Sequence, residues 1–435
     1  MKLFAPKLFS TFKGYNGKRF LDDVIAGIIV AIIALPLSIA LAIASGAEPI
    51  HGLYTAIIAG FVVAALGGSK VNITGPTAAF AVIVAGVIAS KGFPGLAVAT
   101  VMAGIMLIVL GLCRAGSLIR FMPHSIVVGF TSGVAVTILI GQIKDFVGIS
   151  FGDAKPVEAG EKVVELIKNI GTFDYKTFIV GAIGLAILIA WTILGQKTHG
   201  VAKSIITKIP GSMLAIIVGI LLVQFTPLKA ATIGSVYSDL AFALPKFSLP
   251  ALNLELVVSV IPDAFKIAML AAIESLLSCV VSDKMINDKH NSNTELIALG
   301  TGNVCTGLFG GIPATGAIAR TAANVKNGGR TPIAGMIHAL VLVLFLVALM
   351  PVVSLIPMPI IAAILFMVAY NMSEWREFIG VFKTKKVTSI IVLLVTFGLT
   401  VALDLVYAIA AGLVLTVIFF IVAKIKEKKK TKLAK

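Results

Sequence analysis

The chain has 435 residues, of which 58% are hydrophobic and only 13% are charged, and its mean hydropathy is +1.06. This composition excludes an ordinary soluble domain, and apolar stretches of about 17–25 residues, the length that crosses a bilayer, recur along nearly the whole sequence. The sequence therefore predicts an all-α polytopic membrane protein embedded in a lipid bilayer.

The formal net charge is +16. A basic chain can bind nucleic acid, but here the lysines and arginines lie in short connections and at the two ends, which is typical of membrane orientation. The N-terminal segment (1–23) and the tail (424–435) are both rich in lysine. The positive-inside rule predicts that both termini are cytoplasmic, in a multi-pass protein of the inner (plasma) membrane, and no nucleic-acid partner is expected.

The apolar pattern predicts fourteen transmembrane segments, seven in a first repeat (24–226) and seven in a second (255–423). In chain order they are 24–44, 51–68, 73–90, 95–113, 123–143, 176–195, 204–226, 255–281, 295–310, 314–326, 331–351, 355–370, 386–403 and 405–423.

Two of these segments, the third and the tenth, are short and interrupted. The third contains NITGPTAAFAV (72–82), and the tenth contains GGIPATGAIARTAANV (310–325). Each is the third segment of its half, and an odd number of segments per half makes the two halves enter the membrane in opposite directions. Glycine- and proline-broken segments at matching positions indicate the binding site of an inverted-repeat transporter. We expect two half-helices that meet near the midplane, N-terminus towards N-terminus.

Facing helix starts favour an anion, because their first N–H groups lack intrahelical partners and each start carries a partial charge of roughly +0.5. Arg320 adds a full positive charge, and an ionisable residue at this depth is usually functional. The predicted anion site comprises Thr77, Ala78, Ala79, Phe80, Gly316, Ala317, Ile318, Ala319 and Arg320, with Phe80 as a candidate for size selection. The alternative is that these small residues only allow close helix packing.

Glu274 is a carboxylate in the middle of the eighth segment, where insertion of an acid costs about 2.5–3.5 kcal/mol. Ser278 lies four residues later and so on the same helical face. The pair suits a coupling cation, either a proton or a sodium ion. A purely structural salt bridge between Glu274 and Arg320 is the other interpretation.

Other chemistry finds little support in the sequence. The histidines lack metal-ligand spacing, there is no GxxxxGK loop for ATP, and the three cysteines form no closed disulfide set. No His, Asp or Ser constellation within the segments has the character of a nucleophile with its base. We therefore predict a transporter rather than an enzyme, with no cofactor unless the coupling cation is a sodium ion rather than a proton.

Four stretches resemble the SulP family of anion transporters, in collinear order over nearly the whole chain. They are LPLSIALAIASGAEPIHGLYTAI (35–57), GGSKVNITGPTAAFAV (67–82), AAIESLLSCVVSDK (271–284) and GGIPATGAIARTAANVKNGGRTPIAG (310–335). The resemblance implies a seven-plus-seven inverted repeat with a core (segments 1–4 and 8–11) that moves like an elevator against a gate, in a homodimer. It also implies a sulfate, bicarbonate or dicarboxylate substrate, with Arg320 as the positive group and Glu274 with Ser278 as the cation position.

The chain departs from the family in three places. Sodium-coupled bicarbonate members carry Asp where Glu274 stands and Thr where Ile318 stands, which favours protons here. Most members also continue into a cytoplasmic STAS domain, whereas this sequence ends in a lysine-rich tail. A nucleobase permease of the same fold is one alternative, although its second carboxylate on the tenth segment is replaced by Arg320. An uncoupled anion channel or exchanger is the other.

Overall fold

The structure is a computed structural model that describes residues 4–12, 14–117, 123–152, 154, 156–199, 209–237, 243–250, 253–402 and 405–433. The first half contains α1 (Lys7–Thr11), α2 (Gly17–Ala44), α3 (Pro49–Leu66), β1 (Thr74–Gly75), a 3-10 turn (Ala78–Phe80), α4 (Ala81–Leu112), α5 (His124–Val147), α6 (Ala159–Lys168), a second 3-10 turn (Ile170–Thr172), α7 (Tyr175–Lys197) and α8 (Gly211–Phe225). The rest contains α9 (Ile233–Val236), α10 (Leu254–Ile286), α11 (Ser292–Leu308), β2 (Thr315–Gly316), α12 (Ile318–Lys326), α13 (Pro332–Ala348), α14 (Met350–Val353), α15 (Met358–Met372), α16 (Trp375–Lys383), α17 (Val387–Ala402) and α18 (Leu405–Leu433).

Each predicted transmembrane segment corresponds to helical structure, so the all-α polytopic fold is confirmed. The third and fourth segments are two helical stretches within α4 that meet at Gly92, where a positive φ of 67° with a ψ of 179° interrupts the helix shortly before Pro94. Only glycine enters that left-handed region without strain. Parts of two predicted segments, 204–208 and 403, lie outside the described residues.

Two amphipathic helices, α6 and α16, lie in connections where no segment is predicted. Each has exposed apolar side chains beside charged ones, such as Ile167 in α6 and Trp375 and Ile379 in α16. Helices of this kind lie in the plane of the membrane interface rather than across it.

The transmembrane helices pack as two bodies. The core body contains α2, α3, α4 and α10 to α13, and the gate body contains α5, α7, α8, α15, α17 and α18. Glycines bring core helices into backbone contact: a Cβ on Gly104 of α4 would lie 2.6 Å from the carbonyl oxygen of Gly300 in α11. Small residues at such crossings are how membrane helices gain close packing. These bodies have the segment composition that the family resemblance implies.

The N-terminal segment is fixed to one end of the core body. The Lys7 amide donates to the Gly67 carbonyl oxygen at 2.9 Å, and Asp288 forms ion pairs with Lys7 at 3.4 Å and Lys70 at 3.0 Å. Burial acts to raise the pKa of Asp288, but the backbone N–H of Lys289 and the two lysine charges outweigh it. The pKa of Asp288 is therefore below its ordinary value.

Candidate functional site

The centre of the core body is a pair of two-residue strands, one from each half. β1 and β2 pair antiparallel, with Thr74 opposite Gly316 and Gly75 opposite Thr315. The same Thr-Gly dipeptide thus occurs in both strands. Because the strands run in opposite directions, the helices that follow them leave in opposite directions. The two helix starts are therefore adjacent, as the inverted-repeat prediction requires.

Side chains from neighbouring helices hold the chain extended as it approaches β2. Asn303 of α11 donates to the carbonyl oxygen of Ala314 at 2.9 Å and accepts from the Ala314 amide at 2.9 Å. Thr55 of α3 forms the corresponding pair of hydrogen bonds with Ile312, at 2.7 and 2.8 Å. Pro313 between them has no N–H to satisfy. Buried extended backbone needs such partners, since it has no helical ladder of its own.

Both helix starts leave amide groups free. Thr77 precedes the 3-10 turn that leads into α4, Ala317 precedes α12, and neither start has a side-chain cap among the described residues. The Ala317 amide donates to the Ile73 carbonyl oxygen at 2.8 Å, which joins the second start to the first half. Uncapped N–H groups carry the positive end of the helix dipole.

Arg320 lies in the first turn of α12 and reaches across to the first half. Its side chain is 3% exposed, and its Nη2 donates to the carbonyl oxygen of Pro76 at 2.5 Å. Its Nη1 has no hydrogen-bond partner among the described residues. The guanidinium packs against Gly75, where a Cβ would lie 3.1 Å from both Cζ and Nη2. Glycine at position 75 thus makes room for the charge.

Glu274 of α10 lies beside the same helix start. Thr77 donates from its hydroxyl to Glu274 Oε2 at 2.8 Å, and both side chains are partly exposed. No ion pair within 4.0 Å joins Glu274 to Arg320, although both lie in the described part of the chain. The direct salt bridge weighed from the sequence is therefore not formed. The carboxylate contacts the first half through Thr77 instead.

Comparison with known proteins identifies the family. The sequence profile of the sulfate permease family matches residues 20–396. The chain belongs to this family. It is 43% identical over 415 residues to YvdB of Bacillus subtilis (strain 168), which is provisionally named a sulfate transporter, covering 94% of this chain and 75% of that one. It is 31% identical over 403 residues to the bicarbonate transporter BicA of Picosynechococcus sp., covering 90% and 68% of the two chains.

Solved structures show the same architecture for this sulfate permease family member. The transmembrane domain of a cyanobacterial bicarbonate transporter, BicA, superposes with a TM-score of 0.78 at 27% identity, covering 91% of this chain and 98% of that domain. The murine anion transporter Slc26a9, in its inward-facing state, gives a TM-score of 0.83 at 18% identity over 97% and 71% of the two chains, which shows the fold alone. The expectation of a membrane transporter rather than an enzyme agrees with the names of these relatives.

Ser278, which the sequence pairs with Glu274, directs its described hydrogen bonds to other residues. Its hydroxyl is fully buried and donates to Asn72 Oδ1 at 2.7 Å. Asn72 also accepts from the Thr321 hydroxyl at 3.0 Å and donates to Glu295 Oε1 at 2.7 Å. Asn72 thus joins α10, α11 and α12 to the first broken segment. The sequence signal for this network was a set of polar residues in apolar surroundings, but only their partners reveal its role.

The remaining predicted site residues divide by exposure. Ala78, Ala79 and Phe80 are buried, with Phe80 only 1% exposed and packed in the main hydrophobic cluster. Ile318 is 40% exposed and Ala319 is exposed as well. The open side of the site is therefore at the start of α12, and the Phe80 ring points into the core rather than towards that opening.

Proposed function

We propose that the chain is a cation-coupled secondary transporter that holds a small oxyanion between the two half-helix starts and Arg320. Sulfate and bicarbonate are the candidate anions, because the relatives are named for these two substrates. A small dicarboxylate offers the same chemistry, since its oxygen atoms can accept from amide groups and from a guanidinium.

The observation that carries the proposal is the surroundings of Arg320. A buried charge is strongly unfavourable unless it is paired, and Arg320 has a carbonyl contact but no carboxylate within 4.0 Å among the described residues. Two uncapped helix starts add positive potential at the same place. A bound oxyanion would neutralise all three and use their free N–H groups.

Glu274 supplies the coupling in this proposal. Its carboxylate accepts from the hydroxyl of Thr77, the residue that precedes the first half-helix, so the cation site and the anion site would adjoin at one residue. An anion bound between the two helix starts and an ionised Glu274 repel each other. A cation on Glu274 removes that repulsion, and linkage requires that each ligand then favours the other.

A proton fits this arrangement better than sodium. Sodium needs several oxygen ligands, and the hydroxyl of Ser278 is already engaged with Asn72. Thr77 is the hydroxyl that hydrogen-bonds to Glu274 in the described part of the chain. One hydroxyl and one carboxylate suffice for a proton.

The movement we propose is an elevator-like displacement of the core body against the gate body. Arg320, Glu274 and both helix starts belong to the core body, and the Asn72 network ties its helices together. A body joined in this way would carry its site as a unit, while the gate body stays in place.

The test is uptake of radiolabelled sulfate and bicarbonate into proteoliposomes, with an imposed proton or sodium gradient, together with anion affinity in detergent. Arg320→Ala should abolish anion binding while the protein stays folded. Arg330→Ala is the matched control, because Arg330 donates to backbone carbonyls of Val325 and Gly329 away from the site. Full anion affinity in Arg320→Ala would refute the site.

Uptake that is independent of both the proton gradient and the sodium gradient would favour a channel or exchanger. Binding of uracil instead of oxyanions would favour the nucleobase permease.

Both termini are proposed to be cytoplasmic, which makes exposed Cys113, at the end of α4, cytoplasmic as well. A membrane-impermeant maleimide should then label Cys113 in inverted vesicles and not in intact spheroplasts, and the reverse result would invert the topology.

A homodimer is proposed from the family resemblance, and light scattering of the purified protein measures its mass.

A further inference from the structure

The short helix α1 in the N-terminal segment has two sides with different surroundings. One side packs on α3 and α13 of the core body, where Thr11 is buried and the Ala5 amide donates to the Thr294 hydroxyl at 3.0 Å. The other side carries Phe9 and Phe12, which are 68% and 60% exposed. Residues three apart lie on one helical face. Two open aromatic rings on one face indicate a surface that contacts something else.

The depth of α1 relative to the bilayer follows from α3. The Lys7 amide donates to the carbonyl oxygen of Gly67, the residue directly after α3 ends at Leu66. α3 has 18 residues and is an apolar helix that can cross a membrane. A helix of that length spans roughly 27 Å, close to the thickness of the hydrocarbon core. Its end therefore lies at the membrane–water boundary, and α1 lies at the level of the lipid headgroups.

The chain that follows α1 returns to the membrane-facing surface of α2. Tyr15 donates to Asp23 Oδ2 at 3.0 Å, which joins this part of the N-terminal segment to the first turns of α2. Leu21, Ile25 and Ile28 are exposed at a spacing of four and three residues, so they form one apolar stripe along α2. On a helix that crosses the bilayer, such a stripe faces the acyl chains. The exposed phenylalanines of α1 therefore precede a surface that already contacts lipid.

The charges at this end of the core body favour anionic headgroups. Lys18 and Arg19 are exposed in the first turn of α2, and the exposed acid Asp22 offsets one of them. Asp288 is shared by the two lysines of the ion pairs described above, so it neutralises only one of them. A positive excess therefore remains beside the exposed rings. Basic residues next to inserted aromatic side chains are typical of segments that bind an anionic leaflet.

We propose that α1 binds anionic lipid of the cytoplasmic leaflet, with Phe9 and Phe12 inserted at the headgroup level and Lys18 and Arg19 beside the phosphates. α1 is attached to the core body, so the lipid contact acts on the body that carries the anion site. Core movement that withdraws α1 from the leaflet has to break this contact. The inference rests on the proposed function, because the elevator-like movement and the cytoplasmic position of the N-terminus are parts of it.

Insertion is measured with a nitroxide spin label on Phe9→Cys, in full-length protein that also carries Cys113→Ser and Cys305→Ala. The protein is reconstituted in phosphatidylcholine with added phosphatidylglycerol. Oxygen concentrates in the bilayer and a nickel chelate stays in water, so an inserted label should collide mainly with oxygen. Collision mainly with the nickel chelate would show that α1 faces water. Protection from both would show that protein, such as a second copy of the chain, covers α1. Either result overturns the inference.

The effect on transport is measured as the maximal uptake rate in proteoliposomes with and without phosphatidylglycerol. One basic residue near an anionic surface changes an equilibrium about fivefold, so phosphatidylglycerol should slow uptake about fivefold or more. The double variant Phe9→Ser with Phe12→Ser should lose this lipid dependence, and so should Lys18→Gln with Arg19→Gln. Anion affinity in detergent should stay within about twofold of the original protein, because these residues lie outside the anion site. A lipid dependence that persists in both double variants overturns the inference.

Lys383→Gln with Lys386→Gln is the matched control. It removes the same charge from exposed positions between α15 and α17 of the gate body, which stays in place in the proposed movement. The slowing by phosphatidylglycerol should persist in this variant, and its loss would overturn the inference. An inserted label with an uptake rate independent of phosphatidylglycerol would refute the elevator-like movement. Unaltered anion affinity in Arg320→Ala would refute the anion site, so the failures are distinguishable.

Discussion

Gly75→Ala should weaken anion binding by displacing Arg320, although Gly75 never contacts the anion through a side chain. The new methyl would overlap Nη1 and lie 3.1 Å from Cζ and Nη2, so the guanidinium must move by several tenths of an ångström. Gly75 does not adopt a positive φ, so the backbone accepts alanine without strain. The effect is therefore confined to the guanidinium.

The size of this effect follows from the bond that is lost. The Nη2 contact with the Pro76 carbonyl oxygen is 2.5 Å long, and a hydrogen bond to a charged group contributes about 1.5–3 kcal/mol. Misplacing the guanidinium should thus weaken anion affinity about 10- to 150-fold. The assay is isothermal titration of sulfate and bicarbonate into the purified protein, with thermal unfolding measured in parallel.

Gly86→Ala is the matched control, because Gly86 lies in α4 and a Cβ there has no neighbour within 4 Å. It should bind anion like the original protein. Equal affinity in Gly75→Ala and Gly86→Ala, with equal unfolding temperatures, would show that the position of Arg320 does not govern binding.

Four further outcomes are expected. Glu274→Gln should retain anion binding but lose gradient-driven accumulation in proteoliposomes, and full accumulation would contradict the coupling role. Thr77→Val removes the hydroxyl that donates to Glu274, so half-maximal uptake should require about fivefold more anion, equivalent to about 1 kcal/mol. Asn72→Ala removes the amide that donates to Glu295 Oε1 and the oxygen that accepts from Ser278, although Glu295 keeps the amides of Gly68 and Ser69 and Ser278 keeps Thr321. The free energy of unfolding should fall by about 1–3 kcal/mol for the buried Glu295 oxygen that is left unpaired, and an unchanged unfolding temperature would argue against the network. Asp288→Asn should destabilise the protein near neutral pH. Because the folded-state pKa of Asp288 is lowered, the difference should be full above the ordinary pKa of 3.8, shrink below it and vanish as pH falls through the lower folded-state pKa. A constant difference down to low pH would exclude the ion pairs as its cause.

The broken segments were predictable because their sequence conflicts with their surroundings. Gly311, Pro313 and Gly316 interrupt an apolar run, and Pro76 does the same in the first half. Such interruptions are tolerated at membrane depth only where the backbone is buried in protein or lines a cavity. Arg320 and Glu274 stood out by the same argument, since a charge is costly there.

Contacts between the halves were not predictable from spacing. Ser278 shares a helical face with Glu274, but that face is broad. The Ser278 hydroxyl donates a hydrogen bond to Asn72, which is 206 residues away in the sequence. The pairing of β1 with β2 involves two residues on each side, too few for any pattern of alternation. The orientation of Phe80 likewise depends on neighbours from other helices. Periodicity reports which face is buried, not which partner buries it.

The strand pair at the centre has a consequence for how the protein is put together. Thr74 and Gly75 come from one half of the polypeptide, and Thr315 and Gly316 come from the other. Neither half contains both helix starts of the anion site, so the capacity to bind an anion arises only where the two halves meet. If the chain were divided in the connection around residue 230, each piece made alone should fail to bind anions. Co-expression of the two pieces should restore the β1–β2 pair and with it anion binding.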